Sequence, residues 1–261
     1  MKVVFVTQED PIYILPFFDE FFRQNLSGVD VLGVFCCRTM GDRDRGQLFR
    51  ALWCLYGTSG LLRLLARRAL STLLQYLPAR RNARRFYSVG QICRTFGLAH
   101  EPIGDPNREV FRSRIAELSP DLIVSIACPY IFGKKLLSLP PLGCINVHHA
   151  PLPRYRGMMP TFWQMYRREK NVGLTIHTMT ERVDGGTALL QERIAIGDGE
   201  SLDALMRRTK RHAARRTLGV VRQLAQQTQT GWSLGAEEGS YFTFPTPAQM
   251  RDFRRCGFRA I

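Results

Sequence analysis

KVVFVTQEDPIYILPFFDEFFRQNLSGVDVLGVFC, residues 2–36, is the stretch on which the fold turns. Residues 2–7 are a short apolar run rich in Val and Phe, the pattern of a strand buried on both faces. Over residues 12–23, Ile14, Phe17, Phe18, Phe21 and Phe22 recur at helical spacing, and after a short polar turn residues 29–36 form a second β-rich run. Strand, helix, strand implies a parallel pair joined by a right-handed crossover. Further apolar runs at 121–128, 143–148, 173–179 and 188–196 extend the alternation, and a helical pattern at 107–118 precedes the first of them. The expected architecture is α/β, with a Rossmann-like, mostly parallel sheet and helices on both faces.

Two stretches stand outside that alternation. Residues from about 42 to 95 read as a basic helical insertion, in which leucines between Leu61 and Leu77 are interleaved with or followed by Arg63, Arg67, Arg68, Arg80, Arg81, Arg84 and Arg85. Residues 201–261 read as a basic helix, with Arg207, Arg208, Lys210, Arg211, Arg215 and Arg216, and then a short tail containing SYFTFPTPAQM. The expected division is therefore one domain over 1–200 that carries the insertion, followed by a helix and tail over 201–261. There is no internal repeat.

The 261 residues are 45% hydrophobic and 23% charged, which excludes wholesale disorder. No apolar run approaches the roughly 18–20 residues of a membrane span. Lys and Arg number 37 against 22 for Asp and Glu, a net charge of +15. Arginines make up 32 of the 37, and their planar fork suits phosphate, so nucleic acid, anionic lipid and phosphorylated small molecules all fit the charge. A coding bias towards Arg would produce the same surplus. The seven cysteines form no C-x-x-C pair, so neither a metal site nor a disulfide framework is expected. The odd cysteine count and a start on MKVVFVT, with no apolar leader, point to the cytoplasm.

The chemistry concentrates in GCINVHHAPLPRYRG, residues 143–157. Alternation along a strand puts Asn146 and His148 on one side and His149 on the other. In an open parallel sheet the ligand crevice lies beyond the carboxyl ends of the strands, where this pair would project. Pro151, Pro153 and Gly157 then force an irregular turn. Downstream, Asp184, Gly185 and Gly186 form a turn signature that exposes a carboxylate. Asn, His and Asp form a coherent set for acyl transfer: the His relays a proton near neutral pH, the Asn amide donates to a developing oxyanion, and the Asp orients the His. The same letters also suit a structural His at a strand end and a plain hairpin turn.

The order of NVHHAPLPRYRG (146–157), GLTIH (173–177) and VDGG (183–186) resembles the formyltransferase family that uses 10-formyltetrahydrofolate. The likeness is close over about residues 100–200 and looser at the first strand. It implies that Asn146, His148 and Asp184 are the catalytic trio. It also implies that the folate lies between Cys128, Pro129, Tyr130, Ile131 and Phe132 on one side and Thr180, Glu181, Arg182 and Val183 on the other, with Ile131 and Phe132 packing on the pterin. The alternative for Tyr130, Ile131 and Phe132 is a place in the core at a helix start. Ala150 departs from the Ser that many members carry there, a position outside the proton transfer. No metal is implied, and His177 is expected to be packed rather than catalytic.

For the acceptor, the loop after the first strand offers Gln8, Glu9 and Asp10, with no glycine to cradle a phosphate. Its carboxylates would suit a sugar hydroxyl or ammonium, or would cap the following helix. Tyr155 and Arg156 are further acceptor-binding candidates. The expected acceptor is an amino sugar, nucleotide-linked or lipid-linked. A methionyl-tRNA formyltransferase-like enzyme without the C-terminal barrel is the alternative, and a non-catalytic RNA- or membrane-binding module is the alternative of a different class. Residues 61–85 could meet an anionic membrane surface, which would make the protein peripheral at the inner face of the membrane, or pack on the core with snorkelling arginines. A homodimer is a further expectation.

Overall fold

The computed structural model describes residues 1–37, 44–235 and 239–261. Asp42 and Arg43, which open the expected insertion, lie outside the described residues. The chain begins β1 (Lys2–Gln8), α1 (Leu15–Phe22), β2 (Asp30–Cys37), and continues through α2 (Arg45–Leu74), α3 (Val89–Phe96), β3 (Ala99–Ile103), α4 (Glu109–Leu118), β4 (Leu122–Ile126) and α5 (Lys134–Leu137). There follow β5 (Cys144–His148), β6 (Arg156–Gly157), α6 (Pro160–Tyr166), β7 (Asn171–Thr178), β8 (Thr187–Ala195) and α7 (Leu202–Ala225). The chain closes with β9 (Trp232–Ser233), β10 (Tyr241–Phe242) and α8 (Pro247–Arg255).

Among the described residues, eight strands form one sheet in the order β3-β2-β1-β4-β5-β7-β8-β9. The pairings from β3 to β5 are parallel and those from β5 to β9 antiparallel. The chain winds one way from β1 to β3 and the other way from β1 through β4 to β5. The order therefore reverses between β1 and β4, and the crevice of an open α/β sheet forms beyond the carboxyl ends of the strands at such a point.

Side-chain alternation sorts the core into two faces. Val3 and Phe5 of β1 join Phe17, Phe18 and Phe21 of α1 and Ala213, Leu218 and Val221 of α7 on one side. Phe5 meets the three α1 rings edge-on, with centroids 5.0–6.1 Å apart, a geometry worth about 0.5–1.5 kcal/mol per pair beyond burial. Val4 and Val6 face the other way, against Phe35, Phe111, Ile115 and Phe132. Helix α7 is thus built into the core of the sheet through its inner stripe, while its arginines stay at the surface.

The expected insertion resolves into two unlike parts. Helix α3 is the crossover helix between the parallel neighbours β2 and β3, and its Val89, Ile92 and Cys93 pack in the α1/α7 core. Helix α2 is the true addition. It starts at Asp44, whose side chain accepts from the Gln47 amide, and it breaks at Gly57, where φ is +64°. Its inner face packs with α6 and α8 around Leu55, Leu64, Phe162, Met250 and Phe253. The tail folds back on its own chain: Tyr241 and Phe242 of β10 pair with Arg156 and Gly157 of β6.

Candidate active site

Strand β5 delivers the site. Its Ile145 and Val147 point into the α1/α7 core and Cys144 into the opposite one, so Asn146 and His148 share the second face. The pairing of β5 with β4 runs out at Ser125–Asn146, which leaves His148 beyond the end of its parallel neighbour. There the His148 side chain is 7% exposed and the Asp184 carboxylate 9%. His148 Nδ1 stands 3.4 Å from Asp184 Oδ1, and Nε2 lies 3.0 Å from the Tyr155 carbonyl. Both neighbours are acceptors. A neutral ring donates to one of them and a protonated ring donates to both.

Asp184 is fixed from two sides. Its backbone has φ +48°, a left-handed conformation that Asp tolerates better than most residues. Its other oxygen, Oδ2, accepts the Gly157 amide at 2.7 Å. Gly157 itself has φ +93°, and a Cβ there would sit 2.2 Å from the Phe242 carbonyl. The strand pair β6/β10 therefore presses directly on the amide that holds the carboxylate.

His177 completes the cluster from the antiparallel neighbour, opposite Asn146 in the register. It is buried, and its Nδ1 lies 2.9 and 3.0 Å from the Thr178 and Gly185 carbonyls, to which it donates. Its Nε2 is then left as an acceptor for the Asn146 amide, 3.3 Å away. Burial holds the His177 pKa below the ordinary value, so the ring stays neutral and keeps that polarity. One N–H of Asn146 is thereby committed and the other is turned elsewhere. The sequence places His177 in a strand but gives no sign of this contact, because the pairing partner of β5 is not written in either segment.

His149 lies across the strand from His148. Its Nδ1 is 3.3 Å from Lys210 Nζ of α7, and burial with the Lys210 charge keeps its pKa well below normal. Burial likewise brings the Lys210 pKa down to about 8.

The loops expected to hold folate flank this cluster. Asn107 anchors the first through its amide to the Ile131 carbonyl and its oxygen to the Gly133 amide. Within it the side chains divide: Ile131 is 58% exposed, while Phe132 is fully buried against Val4, Val6 and Ile115. Of the pair expected to pack on a pterin, only Ile131 is presented to solvent, because Phe132 serves the core. Cys128 lies 3.8 Å from Cys37, and that contact and burial raise its pKa. In the second loop Thr180, Glu181 and Arg182 are exposed and Val183 half-buried, with the Thr180 hydroxyl holding the Arg182 backbone.

The acceptor candidates are more committed than their letters suggest. Gln8 ends β1 at the crevice. Glu9 pairs with His100 at 3.3 Å, and Asp10 Oδ1 accepts the amides of Ile12 and Tyr13 at 2.8 and 3.0 Å, the turn-capping role. Burial raises the Asp10 pKa against those bonds. Glu9, Cys36 and His100 also place one potential ligand atom each within 4.8 Å of one another, although burial pushes the Cys36 thiol far up. The Tyr155 ring stacks on Phe242 and its hydroxyl donates to Glu169 at 2.6 Å, so its carbonyl, not its ring, meets His148. Arg156 lies in β6, half-buried, with its amide donating to the Ser240 carbonyl.

A buried His–carboxylate pair and an Asn amide thus meet at the carboxyl end of β5, one strand along from the reversal between β1 and β4. The formyl transferase family model matches residues 80–221, more than half of the chain, and the chain belongs to that family. A methionyl-tRNA formyltransferase of Syntrophus aciditrophicus (strain SB) is 43% identical over 122 residues, which are 47% of this chain and 38% of that protein. Another from Pelobacter propionicus is 40% identical over 112 residues, 41% of this chain and 35% of that protein. The match thus spans under two fifths of the length of these curated relatives. Among solved structures, a sugar N-formyltransferase from Shewanella sp. FDAARGOS_354 superposes with a TM-score of 0.57 at 19% identity, over 94% of this chain and 77% of that one. A phosphoribosylglycinamide formyltransferase from Anaplasma phagocytophilum gives 0.59 at 15% identity, over 94% and 99%. These two establish the likeness of fold.

Proposed function

We propose that the protein transfers a formyl group from 10-formyltetrahydrofolate to the amine of an amino sugar borne on a phosphate-containing carrier, a nucleotide or a lipid. The observation that carries the reading is the buried His148–Asp184 pair, 3.4 Å apart, on the same strand face as Asn146. The folate supplies an activated one-carbon unit when bound. The backbone of Cys128, Pro129, Tyr130, Ile131 and Phe132 and that of Thr180, Glu181, Arg182 and Val183 would hold it, a fit supported by the outward Ile131 between anchored loop backbone.

The chain's own residues then divide the work. Asn146, with one N–H committed to His177, directs the other at the formyl oxygen as negative charge develops there. His148 takes the proton that the amine loses on attack and returns it towards the departing folate nitrogen. Asp184, held by the Gly157 amide, orients the His148 ring and balances its charge. The products are a formamide and tetrahydrofolate.

The test is incubation with 10-formyltetrahydrofolate and a panel of nucleotide-linked and lipid-linked amino sugars and aminoacyl-tRNA, scored by mass for a formyl increment. A formylated amino sugar is expected, and release of formate with no formylated amine in any arm would overturn the reading. The 43% identity to a methionyl-tRNA formyltransferase over 122 residues favours aminoacyl-tRNA as the second acceptor to be tried.

A further inference from the structure

The second half of α2 is apolar on two opposite faces. Leu61, Leu64 and Ser71 point inward and are buried. Leu62, Leu65, Leu73 and Tyr76 point outward, with Ala66 and Ala69 between them, at the i, i+3, i+4, i+7 spacing of one helix face. Leu62 is 61% and Leu73 74% exposed, and Leu65, Ala69 and Leu73 line a shallow groove of about 440 Å³ with Arg68 and Thr72. A helix end with leucines on its solvent side needs an occupant for that side.

The charge around it narrows the choice. From residue 45 to residue 100 the chain has no Asp or Glu and ten Arg. Arg63 and Arg68 flank the stripe, and Arg80, Arg81, Arg84 and Arg85 follow it. Two copies meeting through such faces would repel. A nucleic acid would answer the arginines but not the leucines. An anionic bilayer answers both, with acyl chains under the stripe and headgroup phosphates against the arginines. No helix among the described residues is long and apolar enough to cross a membrane, so the geometry is that of a helix lying in the interface.

We infer that α2 seats the protein on an anionic lipid surface. The same helix reaches the crevice: Tyr56 of α2 shares a 2.8 Å hydrogen bond with Tyr13, which closes the Asp10 turn after β1. A protein seated there takes its acceptor amine from a lipid-linked molecule, a consequence that rests on the formyl-transfer reading, whereas the docking does not.

The docking is tested by flotation of the full chain with phosphatidylcholine vesicles, with and without one quarter phosphatidylglycerol. Flotation is expected only with the anionic vesicles, reduced several-fold in 0.5 M NaCl. The double variant Leu65→Ser/Leu73→Ser is expected to lose more than tenfold in the bound-to-free ratio. Its formyl transfer to a water-soluble acceptor should be unchanged, so a failure of docking and a failure of transfer read out separately. Three results overturn the inference: no anionic flotation, flotation that the double variant retains, or a dimer in solution that the same variant dissolves without any vesicle binding. Retained binding of bulk RNA by the variant, with no vesicle binding by the parent, would assign the face to nucleic acid instead.

Discussion

Strand β5 and helix α2 are both exceptions to ordinary burial, in opposite senses. At β5, polar side chains lie inside and meet one another or backbone: Asn146 on His177, His148 on Asp184 and the Tyr155 carbonyl, Asp184 on the Gly157 amide. On α2, Leu62, Leu65 and Leu73 lie on the solvent side, 61%, 47% and 74% exposed. Helix α7 shows that basic composition alone does not make the difference. It is also long and arginine-rich, yet its apolar stripe is buried, and Arg207, Arg208, Arg215 and Arg216 pair with Asp203, Glu200, Glu20 and Glu192. On α2 the Arg67–Asp203 pair is the internal ion pair found among the described residues. A region whose charges are answered internally is part of the fold, while one whose charges and leucines are both left over is a surface for something else.

The largest expected break in this contrast is at His148. His148→Ala should lower the rate of formyl transfer by about 10²–10⁴ while leaving vesicle flotation intact, measured side by side on one preparation. His149→Gln, one residue along and across the strand, should keep most of the turnover, and the opposite ranking would mean that Lys210 and His149 form the working pair.

Gly157→Ala comes next. A side chain at φ +93°, 2.2 Å from the Phe242 carbonyl, should cost roughly 1–3 kcal/mol in urea unfolding. Transfer should slow in the folded fraction as well, because the amide that holds Asp184 must move. An alanine variant with parental stability and turnover would show that the β6/β10 pair does not brace the site.

A smaller effect is expected from pH. His149 and His177 are both kept neutral by burial, with folded pKa values below the roughly 6.5 of the unfolded chain. Below that pH the unfolded state takes up protons that the folded state refuses. Stability should therefore fall as pH drops below about 6.5, by up to about 1.4 kcal/mol per pH unit for each ring. His149→Gln should make the slope shallower, and an unchanged slope would place His149 in contact with water. The smallest effect belongs to α2: Leu65→Ser/Leu73→Ser should shift unfolding by no more than about 0.5 kcal/mol, since both side chains stand largely at the surface. A larger loss would mean that the outer stripe is already covered by the protein itself.

The legible parts of the molecule were those where one short segment carries its own pattern. The β1–α1–β2 opening follows from Val and Phe at period 2 and Phe at period 3.6, and the alternation that puts Asn146 and His148 together follows from strand geometry alone. Strand β3, AHEPI, escaped because it is mixed in polarity and contains Pro102, which an edge strand tolerates. The reversal at β7 escaped for a different reason: an apolar run looks the same whether its neighbour is parallel or antiparallel. Helix α3 was read as part of the insertion, although it is the crossover helix that the alternation requires.

Residue types and local periodicity settled the class of fold, the shared face of Asn146 and His148 and the arginine surplus, since none of these needs contacts beyond one turn or one strand. The contacts of Asp184 with Gly157, of His177 with Asn146 and of Tyr241 in the tail with Arg156 in β6 join positions 27, 31 and 85 residues apart. They exist because the sheet brings distant backbone into register. The direction of the α2 leucines is of the same kind: spacing shows that a helix has two apolar faces, and only packing against α6 and α8 chooses which one is left outside.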